Sequence, residues 1–372
     1  MPATICDILP SIAALLGVDQ AEDVLDLRSR IGDVRRIAVV LVDGMGHHLL
    51  PAMAAHTPLL ASVLSGGVGS LDQLTCTFPS TTPTSLASFT TGAEPGEHGI
   101  LGFTLNVPGS DRVLTHIVWR DDPPPAQWQP VPTWFERITN AGVSSKVVLP
   151  EFFAGSGLTE AAYRGAQFCG VGRDEDYGQH LLTELRSQPG LVYGYTSALD
   201  TAAHVHGIAS PQWAQAAAGV DTLLARLVED LPADAALVVT ADHGGLDVPQ
   251  DARVDVATDT DLSDGVRVVA GEPRVRYLHT VDGGTPDVLA TWKAVIGDRA
   301  QVLPRDEAVD SGWFGAVRDE HRARIGDVVV VCTGDFAVLA TQYEPPETAK
   351  LIGFHGAATP VETAIPLITF RG

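Results

Sequence analysis

The segment RRIAVVLVD, residues 35–43, is rich in β-branched side chains and almost wholly apolar. This pattern is typical of a central strand buried on both faces. It recurs as SSKVVLP at 144–150, GLVYGYTS at 190–197 and AALVVTAD at 235–242, with helical patterns between them, such as residues 211–231. The alternation predicts an α/β fold with a mostly parallel central sheet and helices on both faces. Ligands of such folds bind beyond the carboxyl ends of the strands.

Composition narrows the class of protein. The 372 residues are 45% hydrophobic and 19% charged, which is typical of a globular chain, and the length suggests one large domain or two ordinary ones. A net charge of −22 argues against binding to nucleic acid or to anionic membrane. The expected partner is a small molecule, and the expected assembly is a monomer or weak homo-oligomer. An anionic substrate would need local positive charge, which bound metal ions supply.

The N-terminal segment and the cysteines indicate a location. A secretory leader carries Lys or Arg before its apolar segment, and the apolar segment at 8–18 has neither before it. No apolar segment is long enough to span a bilayer. The chain's four cysteines are scattered without CxxC spacing, which favours free thiols over a disulfide framework. We therefore predict a cytoplasmic protein.

Residues 246–328 differ in texture from the rest of the chain. They are rich in Asp and Gly, and then show two strand patterns, a helix pattern and a strand pattern, which predicts a small inserted α+β cap subdomain. Within PRVRYLHT, the side chains of Arg274, Arg276 and His279 are candidates for binding substrate phosphate. The alternative is that they are solvated side chains of an edge strand.

Carboxylates and imidazoles follow the predicted strands where these strands end. The residues concerned are Asp43, Asp200, His204, Asp242, His243 and His355. Each one alone is compatible with a helix cap, a turn or a structural histidine, but Asp200 and His204 share one helix face because they are four residues apart. Three carboxylates and three imidazoles together can form two half-shells for divalent metals. We expect two ions, Zn²⁺ or Mn²⁺, which would clamp a phosphoryl group.

The motifs VDGMG, FPSTTPTSLASFTTGAEPGEHGI, DTAAHVHG, ADHGG and GFHG run from residue 43 to residue 356. In kind and order they resemble the alkaline phosphatase superfamily, and within it the type I phosphodiesterase/nucleotide pyrophosphatase family. The resemblance implies a single alkaline-phosphatase-like catalytic domain over residues 1–372. It implies one metal held by Asp200, His204 and His355. It implies a second metal held by Asp43, Asp242, His243 and the nucleophile.

The same resemblance identifies the nucleophile within TCTFPSTTPTSLASFTTG, residues 75–92. The family's Phe-Pro pair corresponds to Phe78 and Pro79, which makes Thr82 the nucleophile and Thr81 the second choice. His98 is expected to be structural. Eukaryotic relatives carry a phosphate-binding Asn shortly after HGI; here Gly102 and Phe103 stand at that place, so either Asn106 or the backbone amide of Thr82 is expected to take that role.

The resemblance implies a phosphodiesterase that acts through a phospho-threonine intermediate. The chain resembles actinobacterial cytoplasmic phosphodiesterases that hydrolyse cyclic di-AMP through linear pApA to AMP, so this is the expected substrate. The alternatives are a phosphomonoesterase or phosphonate hydrolase on the same scaffold, and a catalytically silent nucleotide-binding module. Monoesterases of this superfamily add a cation near the phosphate, and no Arg is near Thr82 in sequence, which favours diesters.

Overall fold

The computed structural model describes residues 3–372, and these form a mixed α/β fold. The strands are β1 (Arg36–Val42), β2 (Ser70–Thr75), β3 (Thr104–Asn106), β4 (Val113–Thr115), β5 (Ser144–Pro150), β6 (Gln167–Val171), β7 (Gly190–Thr196), β8 (Ala235–Thr240), β9 (Leu246–Asp247), β10 (Arg253–Asp255), β11 (Val266–Glu272), β12 (Val275–Thr280), β13 (Ala300–Pro304), β14 (Val328–Cys332), β15 (Ala337–Leu339), β16 (Gly353–Phe354) and β17 (Ala364–Arg371).

Helices alternate with these strands along the chain. Up to β8 they are α1 (Ile8–Leu15), α2 (Leu27–Ile31), α3 (Leu50–Ala54), α4 (Pro58–Leu64), α5 (Thr82–Thr91), α6 (Pro95–His98), α7 (Pro125–Trp128), α8 (Trp134–Asn140), α9 (Gly157–Ala162), α10 (Tyr177–Ser187), α11 (Ala198–His206) and α12 (Pro211–Glu229). After β8 they are α13 (Thr260–Ser263), α14 (Thr285–Ile296), α15 (Arg305–Asp310), α16 (Asp319–Arg322) and α17 (Pro360–Thr363).

The central sheet has seven strands in the order β2-β17-β8-β1-β7-β5-β6. The ladders among β8, β1, β7, β5 and β6 are parallel, and β17 runs antiparallel to both of its neighbours. Residues 37–42 of β1 are all buried, and since successive side chains of a strand point to opposite faces, both faces of the sheet are covered. This confirms the predicted mostly parallel α/β core.

The apolar N-terminal segment is part of this core. It forms α1, in which Ile8, Leu9 and Ile12 are fully buried. The helix after Ser210 also begins as predicted: Pro211 lies in its first turn, and the Ser210 side chain accepts the N–H of Trp213. Among residues 3–372, no helix combines the length and apolar character that crossing a bilayer requires.

The inserted region is an antiparallel sheet in the order β11-β12-β14-β13, covered by α14 through Val288, Trp292 and Ile296. The predicted boundary at residue 328 coincides with the first residue of β14. That strand reads VVVVC and is buried throughout, so its pattern resembles that of the central-sheet strands. The pairing of β10 with β15 carries the region on to Leu339.

Candidate metal and nucleophile site

The predicted ligands come together at the carboxyl edge of the central sheet. Asp43 follows β1, Asp242 and His243 follow β8, and α11 after β7 carries Asp200 and His204 one turn apart. His355 comes from a different setting than expected. It follows the short β16, which pairs with β9 outside the central sheet and brings the C-terminal segment back to this edge.

The side chains form two adjoining groups. Asp43, Asp242 and His243 each offer a ligand atom within 4.8 Å of the others, and so do Asp200, His243 and His355. The Nε2 atom of His204 lies 3.2 Å from Asp200 Oδ2 and 3.2 Å from His355 Nε2. His243 stands between the groups and stacks on His355, with ring centroids 3.6 Å apart and planes 11° apart.

Backbone carbonyls orient all three histidines in the same way. The Nδ1 atom of His204 lies 2.7 Å from the oxygen of Gly353, that of His243 lies 2.9 Å from Gly244 O, and that of His355 lies 2.8 Å from Ser80 O. A hydrogen bond from Nδ1–H to a carbonyl fixes the tautomer and leaves the Nε2 lone pair available to a metal ion. Each Nε2 atom lies within a candidate metal group or against one.

The carboxylates have free acceptor capacity inside the protein. Asp242 Oδ1 accepts the N–H groups of Gly44 and His243, while Asp242 Oδ2 and Asp43 Oδ1 are buried without a hydrogen-bond partner. His243 Nε2 lies 3.3 Å from Asp43 Oδ1 and 3.4 Å from Asp242 Oδ2. A metal ion bound here would be a further partner for these buried oxygens. The donor set of carboxylates and imidazoles fits Zn²⁺ or Mn²⁺, so the residues present fit the divalent metals that the sequence implies.

The pKa values reflect this concentration of negative charge. Burial, and then the neighbouring Asp43, raise the pKa of Asp242 well above its usual value. Burial alone would lower the pKa of His243, but Asp242 and Asp43 outweigh it and raise that pKa to about 10. Burial and the adjacent His243 and His204 instead hold the pKa of His355 well below its usual value. The site thus favours cations, and His355 is a neutral imidazole.

Thr82 faces the second group from the start of α5. It is the first residue of that helix, and its Oγ1 lies 3.2 Å from His243 Nε2. Thr81 is the N-cap, and its Oγ1 is fully buried and has no hydrogen-bond partner. Of the two threonines, only Thr82 has a side-chain hydrogen bond to a predicted metal ligand.

Glycines allow the loops of the site to approach closely. A Cβ atom on Gly44, whose φ is +72°, would lie 3.0 Å from Asp200 Cβ, and one on Gly244 would lie 2.1 Å from the oxygen of Val361. The contact at Gly244 is too short for any larger residue, and the positive φ of Gly44 strains any other residue there. These glycines of VDGMG and ADHGG therefore make room for the predicted metal ligands beside them.

Tyr195 contacts the predicted ligand Asp43, and no sequence motif predicted this contact. Its hydroxyl donates a hydrogen bond to Asp43 Oδ2, and its ring packs edge-on against Phe153, with centroids 6.2 Å apart. The residue lies near the end of β7, at the same sheet edge as the ligands. That position was the signal that could have identified it.

The family profile for Type I phosphodiesterase / nucleotide pyrophosphatase matches residues 37–358, a range that includes Thr82 and every predicted metal ligand. The chain belongs to this family. It is therefore a hydrolase acting on phosphoric ester bonds, in a family of the alkaline phosphatase superfamily that depends on divalent metals. No curated protein sequence matches the chain.

Solved structures with low sequence identity share the family fold. Murine ectonucleotide pyrophosphatase/phosphodiesterase 5 is 16% identical, with a TM-score of 0.72 over 91% of this chain and 88% of that one. An inactive threonine-to-alanine variant of the same protein, in complex with AMP, is 16% identical, with a TM-score of 0.71 over 90% of this chain and 87% of that one. Phosphonoacetate hydrolase from Sinorhizobium meliloti 1021, in complex with phosphonoformate, is 22% identical, with a TM-score of 0.68 over 91% of this chain and 90% of that one.

The structure places the candidate substrate residues of the inserted region inside the protein. β12 lies between β11 and β14, so it is not an edge strand. Arg274, in the turn before β12, and Arg276 and His279, in β12, are at most 3% exposed. Arg274 pairs with Glu362 and Arg276 with Glu344, both inside the protein. Burial lowers the pKa of His279 to about 4, so it is neutral. None of the three is presented as a free cation for phosphate.

Two further residues that the sequence singles out, Asn106 and His98, are buried. Asn106 ends β3, is 3% exposed, and has a buried Oδ1 without a hydrogen-bond partner; its phosphate role stays a prediction. His98 is buried, with Nε2 2.8 Å from Ser88 Oγ and Nδ1 accepting the N–H of Ile100. Since both ring nitrogens of His98 bind protein atoms, it is structural, as predicted.

Proposed function

We propose that the protein is a phosphodiesterase in which Thr82 attacks phosphorus and forms a phospho-threonine intermediate. The observation that carries this proposal is the position of Thr82 Oγ1, 3.2 Å from His243 Nε2 at the junction of the two candidate metal groups. The inactive threonine-to-alanine relative that holds AMP supports a threonine in this role.

Two divalent ions, Zn²⁺ or Mn²⁺, would be held by Asp200, His204 and His355 and by Asp43, Asp242, His243 and Thr82. When bound, they would supply the positive charge that binds a phosphoryl group and stabilises its transition state. The protein's own contribution is orientation: three backbone carbonyls fix the histidine rings, and Tyr195 holds Asp43. The first turn of α5 presents Thr82.

Thr82 Oγ1 would form a bond to phosphorus while the bond from phosphorus to the leaving oxygen breaks. The departing alcohol or nucleotide takes up a proton, and the remaining part of the substrate stays attached to Thr82. Water then displaces Thr82 from phosphorus and restores its hydroxyl. The backbone N–H of Thr82, at the start of a helix, is suited to bind a phosphoryl oxygen.

Diesters fit the charge of the site better than monoesters do. A monoester carries an additional negative charge, and its hydrolases supply a further cation. The arginines Arg274 and Arg276 are already neutralised by Glu362 and Glu344, so they do not supply it. The substrate that we propose is cyclic di-AMP, cleaved to linear pApA and then to AMP, where only a monoester remains.

A cytoplasmic location is part of this proposal, because cyclic di-AMP is an intracellular signal. All four cysteines are free thiols in the structure, which is usual in a reducing compartment.

The phosphonoacetate hydrolase neighbours support the second candidate, a phosphonate hydrolase on the same scaffold.

The experiment is a substrate panel with purified protein and added Zn²⁺ or Mn²⁺. Cyclic di-AMP, pApA, ATP, AMP and phosphonoacetate are followed by chromatography, with Thr82→Ala as the matched control. We expect cyclic di-AMP to give pApA and then AMP, and the reaction to stop there. Phosphate release from AMP with inert dinucleotides would support a monoesterase, and phosphonoacetate cleavage alone would support the phosphonate hydrolase.

A further inference from the structure

A buried ion pair joins the inserted region to the C-terminal segment of the site. Arg274 lies in the turn between β11 and β12, and Glu362 lies in α17. The guanidinium donates from Nε to Glu362 Oε1 at 3.0 Å and from Nη2 to Oε2 at 2.8 Å, and both side chains are fully buried. Arg274 Nη1 also donates to the oxygen of Phe336. This forked geometry holds Glu362 in one orientation.

Glu362 in turn contacts both segments that carry the stacked histidines. Its Oε1 accepts the N–H of Ala357 at 3.0 Å, two residues after His355. Its backbone oxygen accepts the N–H of Gly244 at 2.8 Å, one residue after His243. A single residue therefore links the loop of one metal group to the loop of the other.

The placement of these loops determines the geometry of the metal groups. His243 and His355 come from segments far apart in sequence, and their rings stack with centroids 3.6 Å apart. Metal ligands must be held closely to productive geometry by the residues that support them. A shift of the His243 loop would separate ligand atoms of both candidate groups, and a shift of the His355 loop would separate those of one.

We propose that Arg274 and Glu362 form a positioning pair that fixes His243 against His355 and thereby sets the affinity of both metal groups. Stability alone is a weak reason for such a pair, because apolar side chains can replace a buried ion pair without loss of stability. The contacts of Glu362 with Ala357 and Gly244 provide the other reason. The proposal rests on the proposed metal site, but it does not depend on the substrate.

The test compares two double variants that both remove the ion pair. Arg274→Met with Glu362→Leu loses the acceptor for the Ala357 N–H, whereas Arg274→Met with Glu362→Gln keeps it. The readouts are circular dichroism for folding and the dissociation constants for Zn²⁺ and Mn²⁺, measured by chelator competition. We expect folded protein and about 10- to 100-fold weaker metal binding in the Leu variant, with partial recovery in the Gln variant.

Arg305→Met is the control within the inserted region. It removes the Arg305–Asp327 pair, which has no recorded bond to either histidine loop, and it should leave metal affinity unchanged. Wild-type metal affinity in the folded Leu variant would overturn the proposal. If neither double variant folds, Arg274→Lys decides, because lysine keeps the charge and loses the fork: weaker metal binding supports the proposal and unchanged binding overturns it.

This outcome is separable from that of the proposed function. Metal affinity is measured without substrate, so a wild type that binds two ions and cleaves no diester contradicts the proposed function alone. Active wild type together with unchanged metal binding in the variants contradicts the positioning pair alone.

Discussion

The carboxyl edge of the central sheet and strand β12 of the inserted region both carry charged side chains that the sequence marks as functional. At the sheet edge these side chains converge, and buried carboxylate oxygens of Asp43 and Asp242 remain without hydrogen-bond partners. Arg274, in the turn before β12, and Arg276, in β12, are equally buried, but Glu362 and Glu344 neutralise them. The convergence of several metal-ligating side chains therefore distinguishes the sheet edge from the inserted region, and burial alone does not.

The largest expected effect at the sheet edge is that of Thr82→Ala. Loss of the nucleophile should lower kcat for a diester by about 10³-fold or more, because no other group forms the bond to phosphorus. The circular dichroism spectrum and the content of two metals should stay close to wild type. Thr81→Ala is the matched control. An active Thr82→Ala and an inactive Thr81→Ala would place the nucleophile one residue earlier.

Asp200→Asn should remove metal as well as activity. A neutral amide is a weaker ligand for a divalent ion than a carboxylate, and Asp200 is the one carboxylate of its candidate group. Elemental analysis of the purified variant should show about one metal equivalent fewer than in wild type, and turnover should fall accordingly. Full occupancy with full activity would exclude Asp200 from the site.

Tyr195→Phe tests support of a ligand by a single hydroxyl. The change removes the hydrogen bond to Asp43 and keeps the ring that packs on Phe153. Removing the hydrogen-bond partner of a metal ligand weakens metal affinity or activity by about 10- to 100-fold. We expect about a 10-fold loss of metal affinity here, because Asp43 keeps its backbone position. Chelator competition measures the change. Unchanged affinity would mean that the tyrosine only packs at this edge.

Arg276→Met, in the inserted region, should have the smallest effect on catalysis of these variants. Arg276 pairs with Glu344 and donates to the oxygen of Val338. We expect the free energy of unfolding to fall by about 2 kcal/mol, because the partner carboxylate loses its cation. The KM for cyclic di-AMP should stay within about twofold. A large rise in KM at unchanged stability would restore Arg276 as a phosphate-binding residue.

The two regions also differ in what the sequence could predict. Parallel strands end at one edge, so residues that follow β1, β7 and β8 must lie near each other, and Asp43, Asp200 and His243 were predictable as a group. Residues of antiparallel strands in an insertion have no such constraint. Whether Arg274 faces solvent or Glu362 depends on how the insertion packs on the sheet, which no local pattern encodes.

The same reasoning explains what the sequence leaves open elsewhere. The VVVVC run of β14 has the pattern of a buried strand but carries no sign of which sheet it joins, so the sequence does not show where the insertion ends. Tyr195 and Glu362 carry no motif of their own. Their roles depend on contacts with Asp43 and with the loops of His243 and His355, which only three-dimensional structure reveals.

The central claim is that Thr82 attacks phosphorus and water then displaces it. Stereochemistry at phosphorus tests this most directly, with a chiral phosphorothioate diester hydrolysed in ¹⁸O-labelled water. Two successive in-line displacements each invert the phosphorus centre, so the account predicts net retention of configuration. Net inversion would show a single direct attack by water and would contradict the role assigned to Thr82.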